Sequence, residues 1–263
     1  GRRARSDAKA SGGGLASLLG ADAITEINSF VPARIAGGAN VQAGPNGDDA
    51  LQIIAKSRNN GESVADGESG GLVSIGSSSA RATIRNNTQA LTGDASSENP
   101  TVLGAGGLIR VESGSDYREN TSSTGWGGGL LGVGGSEATS EVLNPYTRAR
   151  LGNNTFIEYQ GQALEVRATD SADLYSYAQQ RIIGAITINE VRATSRIAGG
   201  QTLAEIGAGS QIEAKTVLVS ARETFVIVRA NSNAEVPASF AGDNKSYATV
   251  DVNLTPQVHI FGP

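Results

Sequence analysis

One histidine, His259, stands beside 26 acidic residues, and cysteine is absent. That inventory limits the chemistry before any fold is considered. A Ser-His-Asp triad could be built only around His259. A zinc site made of several imidazoles or thiolates cannot be assembled at all. His259 lies between Val258 and Ile260 and is expected to point to solvent. Two acidic stretches, Asn46-Gly47-Asp48-Asp49 and Asp66-Gly67-Glu68, offer oxygen ligands of the calcium type. Neither follows the EF-hand order or the nonapeptide calcium repeat, so both are read as surface turns. A polysaccharide lyase or hydrolase needs carboxylates gathered in one groove. Glu158, Glu165 and Glu213 instead fall at outward positions of separate strands. No catalytic, cofactor-binding or metal-binding residue and no cofactor is assigned, and the chain is expected not to be an enzyme.

Aromatic rings offer a different chemistry. Trp126, Tyr175 and Tyr177 could stack on the apolar face of a sugar. The simpler expectation is that Trp126 covers a loop and that one tyrosine packs inward. Asn-x-Ser/Thr triplets start at Asn86, Asn120, Asn153 and Asn253 and are read as turn residues.

The elements that position these groups must be built from an unusual composition. Only 38% of residues are hydrophobic and 5% aromatic, with 35 glycines, so a bulky globular interior is not available. Ala, Val, Ile and Leu suit thin, stacked strands. The net charge of −5 argues against a nucleic-acid partner, because binding there needs a basic face. Arg2, Arg3 and Arg5 form a short basic start, expected to be solvated. No apolar run reaches membrane-spanning length. Methionine is absent, and the chain is therefore expected to be a processed product or an internal piece.

Short blocks recur in a fixed order. One reads small–x–Ile/Leu followed by a turn pair: Ala33-Arg34-Ile35, Ala82-Thr83-Ile84, Ala149-Arg150-Leu151, Ala204-Glu205-Ile206 and Val258-His259-Ile260. The turn pairs are Gly37-Gly38, Asn86-Asn87, Asn153-Asn154 and Ala208-Gly209, all tolerant of a left-handed backbone. A second block alternates apolar and polar residues around Ile53, Val111, Val166 and Val219. A third compares Gly12-Gly13-Gly14-Leu15 with Gly127-Gly128-Gly129-Leu130. Ser195-Arg196-Ile197-Ala198-Gly199-Gly200 also resembles the first block, but its surroundings fit less well.

A repeat in constant block order predicts an all-β fold, a right-handed parallel β-helix (β-solenoid) with irregular loops, continuous over residues 1–263. Repeat starts are expected near 33, 82, 149, 204 and 258. Ile35, Ile84, Leu151, Ile206 and Ile260 should form one inward column. Val41, Ala90, Ile157 and Ile212 should form a second, and Ile53, Val111, Val166 and Val219 a third. Two coils per repeat would give about ten coils and a rod of about 50 Å. Ala105-Gly106-Gly107 and the glycines around Trp126 are expected to protrude as loops in one long copy. Residues 16–23 could form a short turn of helix.

The blocks at 204–214 and 217–221, the Gly-Gly-Gly-Leu block and the Asn-x-x-x-x-Ala-x-Ile lead-in resemble repeats of giant bacterial filamentous adhesins of the leukotoxin or hemagglutinin type. The resemblance implies a secreted, surface-attached β-helical stalk and brings no catalytic residues. The expected function is a structural, non-catalytic segment of an extracellular, cell-surface adhesin or fibre. Its expected partners are neighbouring repeats of the same long chain or end-to-end copies of itself, with a glycan or cell-surface receptor as ligand. The alternatives are a self-assembling filament subunit and a β-helical polysaccharide-active enzyme.

Overall fold

A computed structural model describes residues 1–158 and 163–262. The chain is all-β, with long parallel strands in stacked sheets. In chain order the strands are β1 (Arg2–Ile35), β2 (Asn40–Ala43), β3 (Leu51–Thr92), β4 (Thr101–Ala105), β5 (Leu108–Leu143) and β6 (Tyr146–Leu151). They continue as β7 (Thr155–Glu158), β8 (Ala163–Ile206), β9 (Gln211–Ile212), β10 (Thr216–Glu235) and β11 (Ala241–Ile260). The larger sheet runs β1-β3-β5-β8-β10, with β6 and β11 completing its return side. The smaller sheet runs β2-β4-β7-β9.

Every pairing is parallel and joins one pass of the chain to the next. Arg2 stands opposite Asn59, a shift of 57 residues. Leu51 stands opposite Ile109, Leu108 opposite Ala163 and Thr216 opposite Ala163 from the other side. One pass therefore consumes one repeat, not half of one as the two-coil expectation had it. The described residues make five passes. At about 4.8 Å per strand spacing the stack is about 20 Å from first to last, well short of the expected 50 Å.

Each long strand contains two limbs that face one another. In β3 the limbs are 51–70 and 73–92. Asn59 Nδ2 donates to Asn86 Oδ1 across the gap at 3.1 Å, and Thr88 Oγ1 donates to Ser57 Oγ at 2.9 Å. The limbs converge on a corner at Gly71-Leu72, where backbones of successive passes come too close for side chains. A Cβ on Gly71 would lie 2.2 Å from the Gly14 carbonyl oxygen, and one on Gly129 would lie 2.1 Å from that of Gly71. Residues 16–23 belong to β1 and are not helical.

Side-chain size follows the taper between the limbs. At the wide end, next to the small sheet, Leu103, Ile109, Val111, Leu151, Leu164 and Val166 are fully buried. Toward the corner the interior narrows to Ala65, Ala80, Ala138, Ala178 and Ala193, with Ser123 donating to Ser78 at 2.8 Å. Two sheets can approach closely only where the intervening side chains are small. This interior of alanine and serine explains why so little of the chain needs to be hydrophobic.

The third expected column is correct: Ile53, Val111, Val166 and Val219 are in register. The other two are wrong in the second pass. Ile35 stands opposite Thr92, and Leu151, Ile206 and Ile260 follow in the same line. Ile84 belongs to another column, with Ile27, Val142 and Ile197. Likewise Leu103, not Ala90, stands between Val41 and Ile157. Ala33, Ala149 and Ala204 align with Ala90, so position 82 is out of phase with 33, 149, 204 and 258. Asn86-Asn87 consequently lies within β3, whereas Gly38, Asn154 and Gly209 turn the chain at positive φ of 76°, 51° and 69°. The longer connection in the second pass is 93–100. Gly106 and Gly107 do not protrude; their N–H groups donate to the Gly44 and Asp49 carbonyls of the preceding pass.

Candidate functional site

Strand alternation sends every second side chain outward, and parallel stacking lines these up from pass to pass. Opposite charges recur along the lines. Arg110 Nε meets Glu165 Oε2 at 2.8 Å, Lys56 Nζ meets Glu112 Oε1 at 2.6 Å, and Arg58 Nε meets Asp116 Oδ2 at 3.0 Å. Glu141 accepts from Arg81 on one side and Arg196 on the other, each at 2.6 Å. These are bridges between passes on an extended face. The pairs among them that stand in solvent contribute little individually.

Three acids depart from this pattern. Ser57, Ser115, Asp170 and Glu223 occupy one inward line, facing Thr88, Thr147 and Thr202. Asp170 accepts from Thr147 Oγ1 at 2.5 Å and from Thr202 Oγ1 at 2.8 Å. Burial pushes the Asp170 carboxyl up to about 7, and Glu223 behind it is also raised by burial. Glu119 sits between Gly61 and Leu174. Neither of its oxygens has a hydrogen-bond partner within ordinary geometry, although the backbones of Ile84 and Glu141 lie nearby. Burial, then the Glu141 charge, raise its carboxyl well above the carboxylate range. Asp170 and Glu119 are enclosed by the two limbs, so a substrate would have to part the strands to reach them, whereas Glu223 in the last pass is only partly buried.

The residues singled out in the sequence do not converge on one site, although Glu68 stands beside Trp126. His259 is half exposed, its Nδ1 3.4 Å from Glu205 Oε1. Asp49 closes the turn at 46–49, accepting from the Asn46 N–H at 2.9 Å. Asp66-Gly67-Glu68 is not a turn. It lies inside β3, with Gly67 inward and Asp66 paired to Lys9 and Thr124. Among the described residues no three His, Cys, Asp or Glu side chains converge as metal ligands would. Glu158 and Glu213 are exposed, and Glu165 is held by Arg110 and Arg167.

Trp126 does not cover a loop. It stands outward on β5 between Glu68 and Arg181, half exposed, over a groove of about 440 Å³ lined by Lys9, Asp66, Glu68 and Thr124. Tyr175 and Tyr177 both face outward, with the Arg229 guanidinium 5.5 Å from the Tyr175 ring centre. The inward ring is Tyr117, which accepts from Asn86 Nδ2 at 3.2 Å. Its parity with Val111 and Ser113 was the available signal. Of the Asn-x-Ser/Thr triplets, Asn86 is buried, whereas Asn120 and Asn253 are exposed. Among the described residues no helix is long and apolar enough to cross a membrane.

No protein-family model, curated protein or solved structure matches the chain.

Proposed function

We propose that the chain is a stretch of right-handed parallel β-solenoid serving as a rigid, non-catalytic rod in an extracellular, cell-surface adhesin or fibre. The observation that carries the reading is the continuity of its ladders. Each pass of about 55 residues lies in register on the one before, with inward columns and outward ion pairs repeated through the stack. A scaffold of this kind gains stiffness from every added pass and needs no disulfide. The likeness to filamentous adhesin repeats supports the same reading. A glycan or receptor would meet the flat outer faces, where Tyr175 and Tyr177 stand.

A second reading is end-to-end stacking into a filament, in which separate copies continue the parallel ladders that join successive passes within the chain.

Two experiments test the proposal. Antibody raised to residues 1–263 should label intact, unpermeabilised cells of the source organism; labelling only after permeabilisation would contradict a surface location. Incubation with a polysaccharide panel should release no product above a heat-treated control. Product release would favour the polysaccharide-active enzyme instead.

A further inference from the structure

The corner where the two limbs meet is free of charge in every pass. No Asp, Glu, Lys, Arg or His occurs in 10–21, 69–80, 120–136, 182–189 or 236–242. The passes are in register, so these five stretches lie side by side. Several of their outward side chains are large and apolar. Leu15, Leu72 and Leu130 crown successive passes at 79%, 56% and 65% exposure. On the return limb Leu18, Ile75 and Ile188 form an adjoining exposed line. Exposed apolar side chains are ordinary when scattered, but a contiguous strip marks a contact surface.

The shape of this strip selects its partner. It is a convex edge, made by limbs that converge on stacked glycines, and it is stiff because those backbones touch. A protein partner would have to supply a matching apolar groove. The shallow grooves of this chain are lined by charged residues: Lys9 with Asp66 and Glu68, and Lys56 with Arg58 and Asp116. Among the described residues these grooves carry charge and do not match an apolar edge. A lipid bilayer is apolar and deformable and needs no complementary shape. Trp126 stands outward two residues before Gly128, at the border of the strip, where an indole would sit in the headgroup layer. The bordering charges are of both signs, with Lys9, Asp22, Glu68, Arg181 and Glu190 among them, and give no preference for anionic lipid.

We propose that the Leu15–Leu72–Leu130 corner is a membrane-docking edge that dips into the interface of a zwitterionic bilayer, laying the stack along the surface without spanning it. Contacts of this kind are hydrophobic and insensitive to salt. The docked edge joins the rod to a lipid surface side-on, whatever its ends are attached to.

The test is flotation of the 263-residue chain with phosphatidylcholine vesicles, with Trp126, the sole tryptophan, as internal reporter. The chain should float with the vesicles at both low and high salt, and Trp126 emission should shift to the blue. Leu72→Glu combined with Leu130→Glu should lower partitioning by about tenfold or more, since two exposed apolar contacts become charges. An unchanged far-UV spectrum shows that the variant is folded, and Ile260→Ser, at the far end of the return limb, should leave partitioning unchanged. Absence of flotation, flotation unaltered in the double variant, or binding that requires anionic lipid and disappears in salt would each overturn the proposal. A solution dimer that the double variant dissociates, with no vesicle binding, would assign the edge to a second copy.

Discussion

Asp170 is held between two threonines of the opposite limb, Thr202 on its own pass and Thr147 on the preceding one, with both carboxyl oxygens occupied and almost no solvent contact. Burial raises it to about 7, and Glu119 is raised further along the same strands, chiefly by burial as well. A folded-state value above the unfolded one means that the native state binds more protons. The stability linked to Asp170 is full below the ordinary carboxylate range and is lost as pH rises through about 7, and Glu119 acts in the same direction. Urea denaturation should therefore show the chain more stable at pH 5 than at pH 8, by on the order of a few kcal/mol. Asp170→Asn should flatten part of that slope. Stability that rises from pH 5 to pH 8 would contradict the assignment.

Leu151 stands beside Ile206, and both side chains are buried. Leu151→Ala should cost about 2–5 kcal/mol, through lost contacts and the cavity left between limbs. Ile206→Ala should fall in the same range. Leu218→Ala, an outward position opposite Glu165, should stay within about 0.5 kcal/mol. Denaturant midpoints at unchanged slope measure all three.

Glu141 is nearly buried beneath Arg81 and Arg196, which are about half exposed themselves. Loss of one arginine leaves the other in place, so Arg196→Ala should cost less than about 1 kcal/mol. Removal of both leaves a covered carboxylate alone. The double variant should lose more than the sum of the singles, as groups in one network do. Strict additivity would show that the two arginines act independently.

Gly71 has φ of 154°, and a Cβ there would meet the Gly14 carbonyl. Gly71→Ala should destabilise by about 1–3 kcal/mol, from backbone strain and separation of the passes. Gly47→Ala, in an open turn with nothing within 4 Å, should be close to neutral. Thermal melts of the two variants distinguish a structural glycine from a permissive one.

The sequence reading followed apolar residues, and it succeeded where the column was apolar in every pass, as at Ile53, Val111, Val166 and Val219. It slipped where a polar residue took the inward place. Thr92 fills the position between Ile35 and Leu151, its hydroxyl accepting from the Gly152 N–H at 2.7 Å. The aliphatic residue that resembles Ile35 in sequence is Ile84, eight residues before Thr92, and counting from Ile84 lengthens the second repeat. Glu119 shares inward parity with Val111 and Tyr117 on β5, and Asp170 shares it with Val166 and Ala168 on β8, so strict alternation alone marks both. The apolar corner was not legible in this way. Leu15 and Leu130 were noticed as a repeated block, but their exposure follows from the narrowing cross-section, which depends on how the two limbs face each other.

The absence of cysteine allows the stacking itself to be measured with introduced pairs. Thr139, Thr194 and Thr249 are outward neighbours on three successive passes. Adjacent parallel strands bring Cα atoms to about 4.8 Å, inside the range a disulfide spans, whereas alternate strands lie about 9.6 Å apart and outside it. Under mild oxidation, Thr139→Cys with Thr194→Cys and Thr194→Cys with Thr249→Cys should each close an intramolecular disulfide, and Thr139→Cys with Thr249→Cys should not. Failure of both adjacent pairs, or equal closure of the alternate pair, would contradict a stack that advances one pass per repeat.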